Sequence, residues 1–198
     1  MRTYLTTFCV IAIGSFHFVA GIAATPASDK LAEPIDACAL LEDSEIAAVI
    51  GLAVEAGERR DVGSLPDGTY SSTCIWTVRL EKPAQENPSA PFGGKSFVIL
   101  SAIQWPVGSA LAHTFLDSFY AASQRGEIPG KVSPRKFGDD ALWWGDGLAV
   151  VRENVAFGIS VFVPSSPAAR PGVREEQLAP HILGRLDESA NRRAARER

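Results

Sequence analysis

The chain carries three cysteines, at positions 9, 38 and 74, and their placement constrains the fold more than any other feature. Cys9 lies in an apolar run from Leu5 to Ala20 that follows a short start with one positive charge, Arg2. Small residues, Gly21-Ile22-Ala23-Ala24, come next, ahead of Thr25-Pro26. A charged start, an apolar middle and a small-residue cut predict a cleaved signal peptide over 1–24. The run is short for a membrane span, and His17 interrupts it. No cysteine stands just after it, so no lipid-anchor signal is expected. Removing the leader removes Cys9 and leaves an even pair, Cys38 and Cys74. In an oxidising compartment that pair predicts one disulfide spanning 36 positions. The expected location is periplasmic or secreted, with no stable membrane insertion after cleavage.

The disulfide ties a helix to a strand. Residues 25–35 are polar and proline-bearing and read as a flexible lead-in. Asp36 is an N-cap candidate for a helical opening that carries Cys38, and Ser44 is a second. Ile46, Val49 and Ile50 share one helical face, and Gly51 ends it. Tyr70 to Leu80 reads as a strand whose alternation puts Cys74, Trp76 and Val78 on one side. Lys82 to Gly94 reads as a long connection to a second strand, Ser96 to Trp105. Leu111, Phe115 and Phe119 then recur every four residues between the cap Ser109 and Gly126, which predicts one amphipathic helix. Three strands follow at Ala141–Trp144, Leu148–Arg152 and Val155–Val163, broken by Gly145-Asp146-Gly147 and Glu153-Asn154. A last helix starts at Val173 with Leu178, Ile182 and Leu186 on one side and Pro180 within it. Residues 188–198 read as a charged tail that frays.

Helices thus fall between groups of hairpin-like strands. That order predicts an α+β fold: an antiparallel sheet of about five strands, with helices packed on one face. A single domain spans 36–187. Its halves share an outline of helix followed by strands, without a residue-level repeat.

The pattern Asp36-x-Cys38-x-Leu40-Leu41-x-x-x-Glu45-Ile46-x-x-x-Ile50-Gly51, followed by Cys74-x-Trp76, resembles an actinobacterial envelope lipoprotein family of unknown function. Gly138-Asp139-Asp140-Ala141 matches that family's Gly-Asp-(Asp/Glu)-Ala segment. The resemblance covers about two thirds of the mature chain. It implies a disulfide-stapled α+β domain and supplies no catalytic residues. The family's lipidated cysteine has no counterpart here, so surface anchoring does not carry over.

A net charge of −4 argues against a nucleic-acid partner. Gly93-Gly94-Lys95-Ser96 imitates the end of a phosphate loop, but Ser89 stands where the motif needs glycine and a strand follows it. Ser133-x-x-Lys136 matches a serine–lysine pair, but it sits outside a helix start and lacks its partner motifs. Asn87-Pro88-Ser89 is no glycosylation acceptor, because proline fills its middle position. His113 and His181 lack a second ligand at metal spacing, and no metal or cofactor motif is present in the sequence.

The features that remain are Asp139, Asp140 and Asp146 around Trp143 and Trp144. Adjacent strand residues point oppositely, so one tryptophan faces the core and the other is exposed as a ligand platform with Asp146. The leading expectation is a non-enzymatic module that binds an envelope protein or glycan through Trp143, Trp144 and Asp146. A small envelope-acting hydrolase using Asp139, Asp140 or Asp146 is a second reading. A secreted inhibitor or immunity-type protein is a third.

Overall fold

The computed structural model describes residues 34–80, 95–128, 131–163 and 170–196. The expected leader, most of the lead-in, the Lys82–Gly94 connection with its Asn87-Pro88-Ser89 triplet, and Gly93-Gly94 lie outside these residues. Among the described residues no helix is long and apolar enough to cross a membrane.

A 3-10 turn, Ala37–Leu40, and helix α1, Asp43–Ile50, open the fold. Strands β1 (Glu58–Arg59), β2 (Gly63–Ser64), β3 (Tyr70–Thr77) and β4 (Phe97–Gln104) follow. Helices α2 (Leu111–Thr114) and α3 (Asp117–Gln124) separate them from β5 (Ser133–Arg135), β6 (Asp140–Trp143), β7 (Leu148–Arg152) and β8 (Val155–Phe162). Helix α4, Val173–Arg196, completes the fold. The class is α+β, with one antiparallel sheet in the order β1-β3-β4-β8-β7-β6-β5 and β2 also paired to β3. Eight strands stand where the sequence suggested about five. The added three, β1, β2 and β5, are two or three residues long. A strand that short carries no visible alternation, so its residues read as loop.

Strand β4 carries the longest pairing, eight residues on each edge. It pairs with β3 from Phe97 opposite Thr77 to Gln104 opposite Tyr70, and with β8 from Phe97 opposite Phe162 to Gln104 opposite Val155. Strand alternation then sorts the side chains. Val98, Leu100 and Ala102 of β4 join Cys74, Trp76, Val150, Phe157 and Ile159 in the main core. Helices α1 and α4 close it with Ile46, Ile50, Leu178, Ile182 and Leu186. The opposite face carries a smaller core built from Leu142, Ala149, Val151 and Ala156, covered by Ala112 and Leu116. So α1 and α4 lie on one face of the sheet, and the α2–α3 segment lies on the other.

Three local expectations change. The single helix expected after Ser109 is two short ones that meet at Phe115-Leu116. The break rotates Leu111 out to 51% exposure and turns Ala112 and Leu116 inward. Helix α1 is capped by Glu42 rather than Ser44. The Glu42 side chain accepts from the Glu45 backbone, and the Glu45 carboxylate accepts from the Glu42 N–H at 2.9 Å. Helix α4 continues to Arg196 where a frayed tail was expected, and Asp187 pairs with Arg152 at 2.9 Å. Pro180 lies inside it and does not end it.

The opening segment is fixed to the sheet by a disulfide, by hydrogen bonds and by an ion pair, Arg59 of β1 holding Asp36 at 3.2 Å. Cys38 and Cys74 form the disulfide, with their Cα atoms 5.0 Å apart. The Ala37 N–H donates to Ser72 Oγ at 3.0 Å, and the Ile35 N–H donates to the buried Gln104 Oε1 at 3.2 Å. The Trp76 indole N–H donates to Asp43 Oδ1 at 2.8 Å. Arg185 of α4 grips α1 through Glu42 and Glu45, each at 2.9 Å.

Loop-closure entropy sets the worth of the disulfide. Replacing both cysteines with alanine is expected to lower unfolding free energy by about 4 kcal/mol, read from urea denaturation. The oxidised chain should also weigh about two mass units less than the reduced one, because two thiol hydrogens are lost. A stability loss under about 1 kcal/mol would contradict the constraint described.

Candidate functional site

Trp143 and Trp144 point to opposite faces of the sheet, as strand alternation predicts, but neither is the exposed platform expected. Trp143 packs against the main core and Trp144 against the smaller core on the opposite face. Both are half-buried. Asp146 shares a cavity with Trp143 only.

That cavity holds about 260 Å³ between the β6–β7 turn and the start of α4. Trp143, Asp146, Phe162, Arg170, Gly172 and Glu175 are among its walls. Gly172 lets the chain pass the indole. Its φ is +83°, and a Cβ there would come within 2.9 Å of the Trp143 ring. Arg170 and Arg135 both pair with Glu176, which holds its carboxyl below the ordinary range; the Arg170 hydrogen bond contributes most. Glu175 is buried, and its Oε1 accepts from the Val161 N–H at 2.9 Å. Strand β7 ends at Leu148, opposite Ile159, so it provides no partner for Val161. Glu175 replaces the missing strand neighbour. Burial pushes its carboxyl above its ordinary value of 4.5, outweighing the backbone hydrogen bonds it accepts.

The other carboxylates weighed for catalysis have local partners. Asp139 pairs with Arg152 at 2.9 Å and accepts from the Glu153 N–H at 2.6 Å, at the turn between β7 and β8. Asp140 Oδ1 accepts from the Ala141 N–H at 2.8 Å, as a residue turning into a strand does. Ser133 Oγ accepts from Arg135, its neighbour on β5. His181 Nδ1 lies 2.9 Å from Glu45 Oε1. The His113 side chain lies outside the described residues. No group of three potential metal ligands occurs among the described residues.

The opposite face presents a different feature. A slot of about 280 Å³ lies between β4, β8 and the α2–α3 segment. Ile99, Ser101 and Ile103 of β4 form one side. Ala156, Gly158 and Ser160 of β8 lie beside them, in register as Ile103 opposite Ala156, Ser101 opposite Gly158 and Ile99 opposite Ser160. Phe115, Phe119 and Trp144 complete the lining. Four rings make a continuous wall: Trp105 to Phe115 at 5.5 Å, Phe115 to Phe119 at 5.5 Å, and Phe119 to Trp144 at 5.2 Å. These distances suit tilted and edge-on ring contacts. Gly147 makes room for the indole, since a Cβ there would collide with the Trp144 ring, and a Cβ at Gly158 would lie in ordinary contact with that ring at 3.4 Å. Sequence reading singled out Trp144 and missed its partners. Phe115 and Phe119 read as ordinary helix-core residues, and nothing local signalled that Gly158 and Ser160 would lie across from them.

No known protein family, curated protein or solved structure matches the chain. The slot and the Trp143 cavity are therefore weighed on geometry alone.

Glu175 gives the second cavity a pH signature. A carboxyl whose folded-state value is raised binds its proton more tightly in the folded chain. Its stabilising contribution is complete below about 4.5 and is lost as pH rises through the raised value. Glu175→Gln keeps an oxygen for the Val161 N–H and cannot ionise. The variant should therefore gain stability relative to the parent as pH climbs from 4.5 to 8, measured as the difference in urea midpoints. Parallel curves for the two proteins would refute the assignment.

Proposed function

We propose that the chain is an exported, non-enzymatic binding module for an envelope component, and that the slot against β4 and β8 is its binding site. The observation that carries this reading is the apolar slot itself. Ile99, Ile103, Phe115, Phe119 and Trp144 surround it, and all are half-buried. Concave apolar surface with a few polar groups is the usual form of a small-ligand site. The mixed Trp143 cavity is the lesser candidate, because Arg170 is committed to Glu176 and Glu175 to the Val161 N–H. Export is supported by the leader-like pattern over 1–24 and by the resemblance carried by Asp36-x-Cys38 and Cys74-x-Trp76. The Cys38–Cys74 disulfide is compatible with an oxidising compartment.

The test uses the exported chain and N-phenyl-1-naphthylamine, a dye that brightens in apolar sites. Titration should show saturable binding. Gly158→Val, which fills the space beside Trp144, should weaken it at least tenfold with the circular dichroism spectrum unchanged. Trp143→Ala should leave it within twofold. Equal loss in both variants, or binding unaffected by Gly158→Val, would place the site elsewhere.

A further inference from the structure

Resting on that reading, we propose that the slot takes one unbranched acyl chain of about eight to ten carbons, with its carbonyl oxygen accepting a hydrogen bond from Ser160, since the slot runs about 13 Å along β4 between apolar walls.

Shape argues for a chain rather than a disc. From Ile99 to Ile103 the slot follows β4 for four residues, or about 13 Å at about 3.3 Å per residue. Across, it rests on two neighbouring strands, whose backbones lie about 4.8 Å apart. The volume is therefore distributed along the strands. Ile99, Ile103, Phe115, Phe119, Trp144 and Ala156 supply apolar wall along that length, with Ser101, Gly158 and Ser160 among them.

Polarity gives the ligand its direction. Two hydroxyls line the slot. Ser101 Oγ is already bonded to Thr73 Oγ1 at 3.0 Å. Ser160 is 6% exposed, lines the slot, and its hydroxyl has no hydrogen-bond partner among the described residues. Its oxygen keeps some accessible surface on the slot, so a ligand oxygen can bond it in place of water. Ser160 stands opposite Ile99, at one end of the slot. At the other end, beside Ile103 and Ala156, Trp105 packs on Phe115 and is 8% exposed. The polar head thus belongs at Ser160, and the tail runs past Gly158 and Ala156 towards the Trp105–Phe115 pair. A carboxylic acid and an acyl ester both offer the required oxygen.

The experiment titrates the exported chain by calorimetry with n-alkanoates from six to fourteen carbons and with their methyl esters. Affinity should rise about fourfold per methylene while the tail is being buried, and level off near ten carbons. Ser160→Ala should weaken decanoate or its ester about fivefold, the worth of one hydrogen bond. Ile99→Glu, a charge on the half-buried slot wall, should abolish binding of both without relying on Gly158→Val folding well. Tighter binding of acids than esters would identify a free fatty acid as the source, and the reverse an esterified lipid. Naphthylamine binding blocked by Gly158→Val, with no response to either acyl series, would overturn this inference and leave the binding module standing. A rise in affinity with no plateau through fourteen carbons, or no effect of Ser160→Ala, would overturn it too. Failure of every probe would overturn both.

Discussion

Everything else in this protein depends on the eight-residue pairing of β4 with a neighbour on each side. Full hydrogen bonding on both edges fixes the register, and register decides which side chains share a face. A slip of one residue would bring Ile99, Ser101 and Ile103 into the main core and expose Val98, Leu100 and Ala102. The disulfide acts on this frame rather than creating it. Cys74 lies opposite Leu100, so the covalent tie holds the opening turn beneath the β3–β4 pair. The Ser72 and Gln104 hydrogen bonds fasten the same segment without covalent chemistry.

The two faces have different packing. One is sealed by α1 and by α4, which is 24 residues long. The other is covered by two helices of four and eight residues. Helices that short cannot cover a sheet of eight strands, and the slot is the part of the second face they leave open. Its half-buried aromatic residues follow from that shortfall in length. The small residues of β8 deepen it. Ala156, Gly158 and Ser160 alternate with Val155, Phe157, Ile159 and Val161, so one strand is bulky towards the main core and spare towards the slot.

Much of the fold was legible because long elements repeat their pattern. Strand β3 alternates, β4, β7 and β8 read as near-continuous apolar runs, helix α4 repeats Leu178, Ile182 and Leu186 every four residues, and Cys38 and Cys74 announced their pairing. The opposed directions of Trp143 and Trp144 followed from alternation alone. What the sequence concealed is three-dimensional. Residues 58–64 look like a loop because two-residue strands have no period. The α2–α3 break depends on tertiary packing of Ala112 and Leu116. Nothing in the local sequence assigns a helix to one face of a sheet or the other, so the slot was hidden. Asp146 was grouped with both tryptophans because they are near in sequence, and the sheet then separated them.

The margins of the sheet have a consequence for how the molecule meets others. At one margin β3 is overlaid by β1, β2 and the Val54–Val78 bridge. At the other stands β5, three residues long with Pro134 at its middle. An incoming strand seeks a run of free amides, and proline has none. Stacking edge to edge into fibrils, or borrowing a strand from a neighbour, is thereby discouraged at both borders. The chain can then keep an oily recess on its broad side without that recess seeding a growing ribbon.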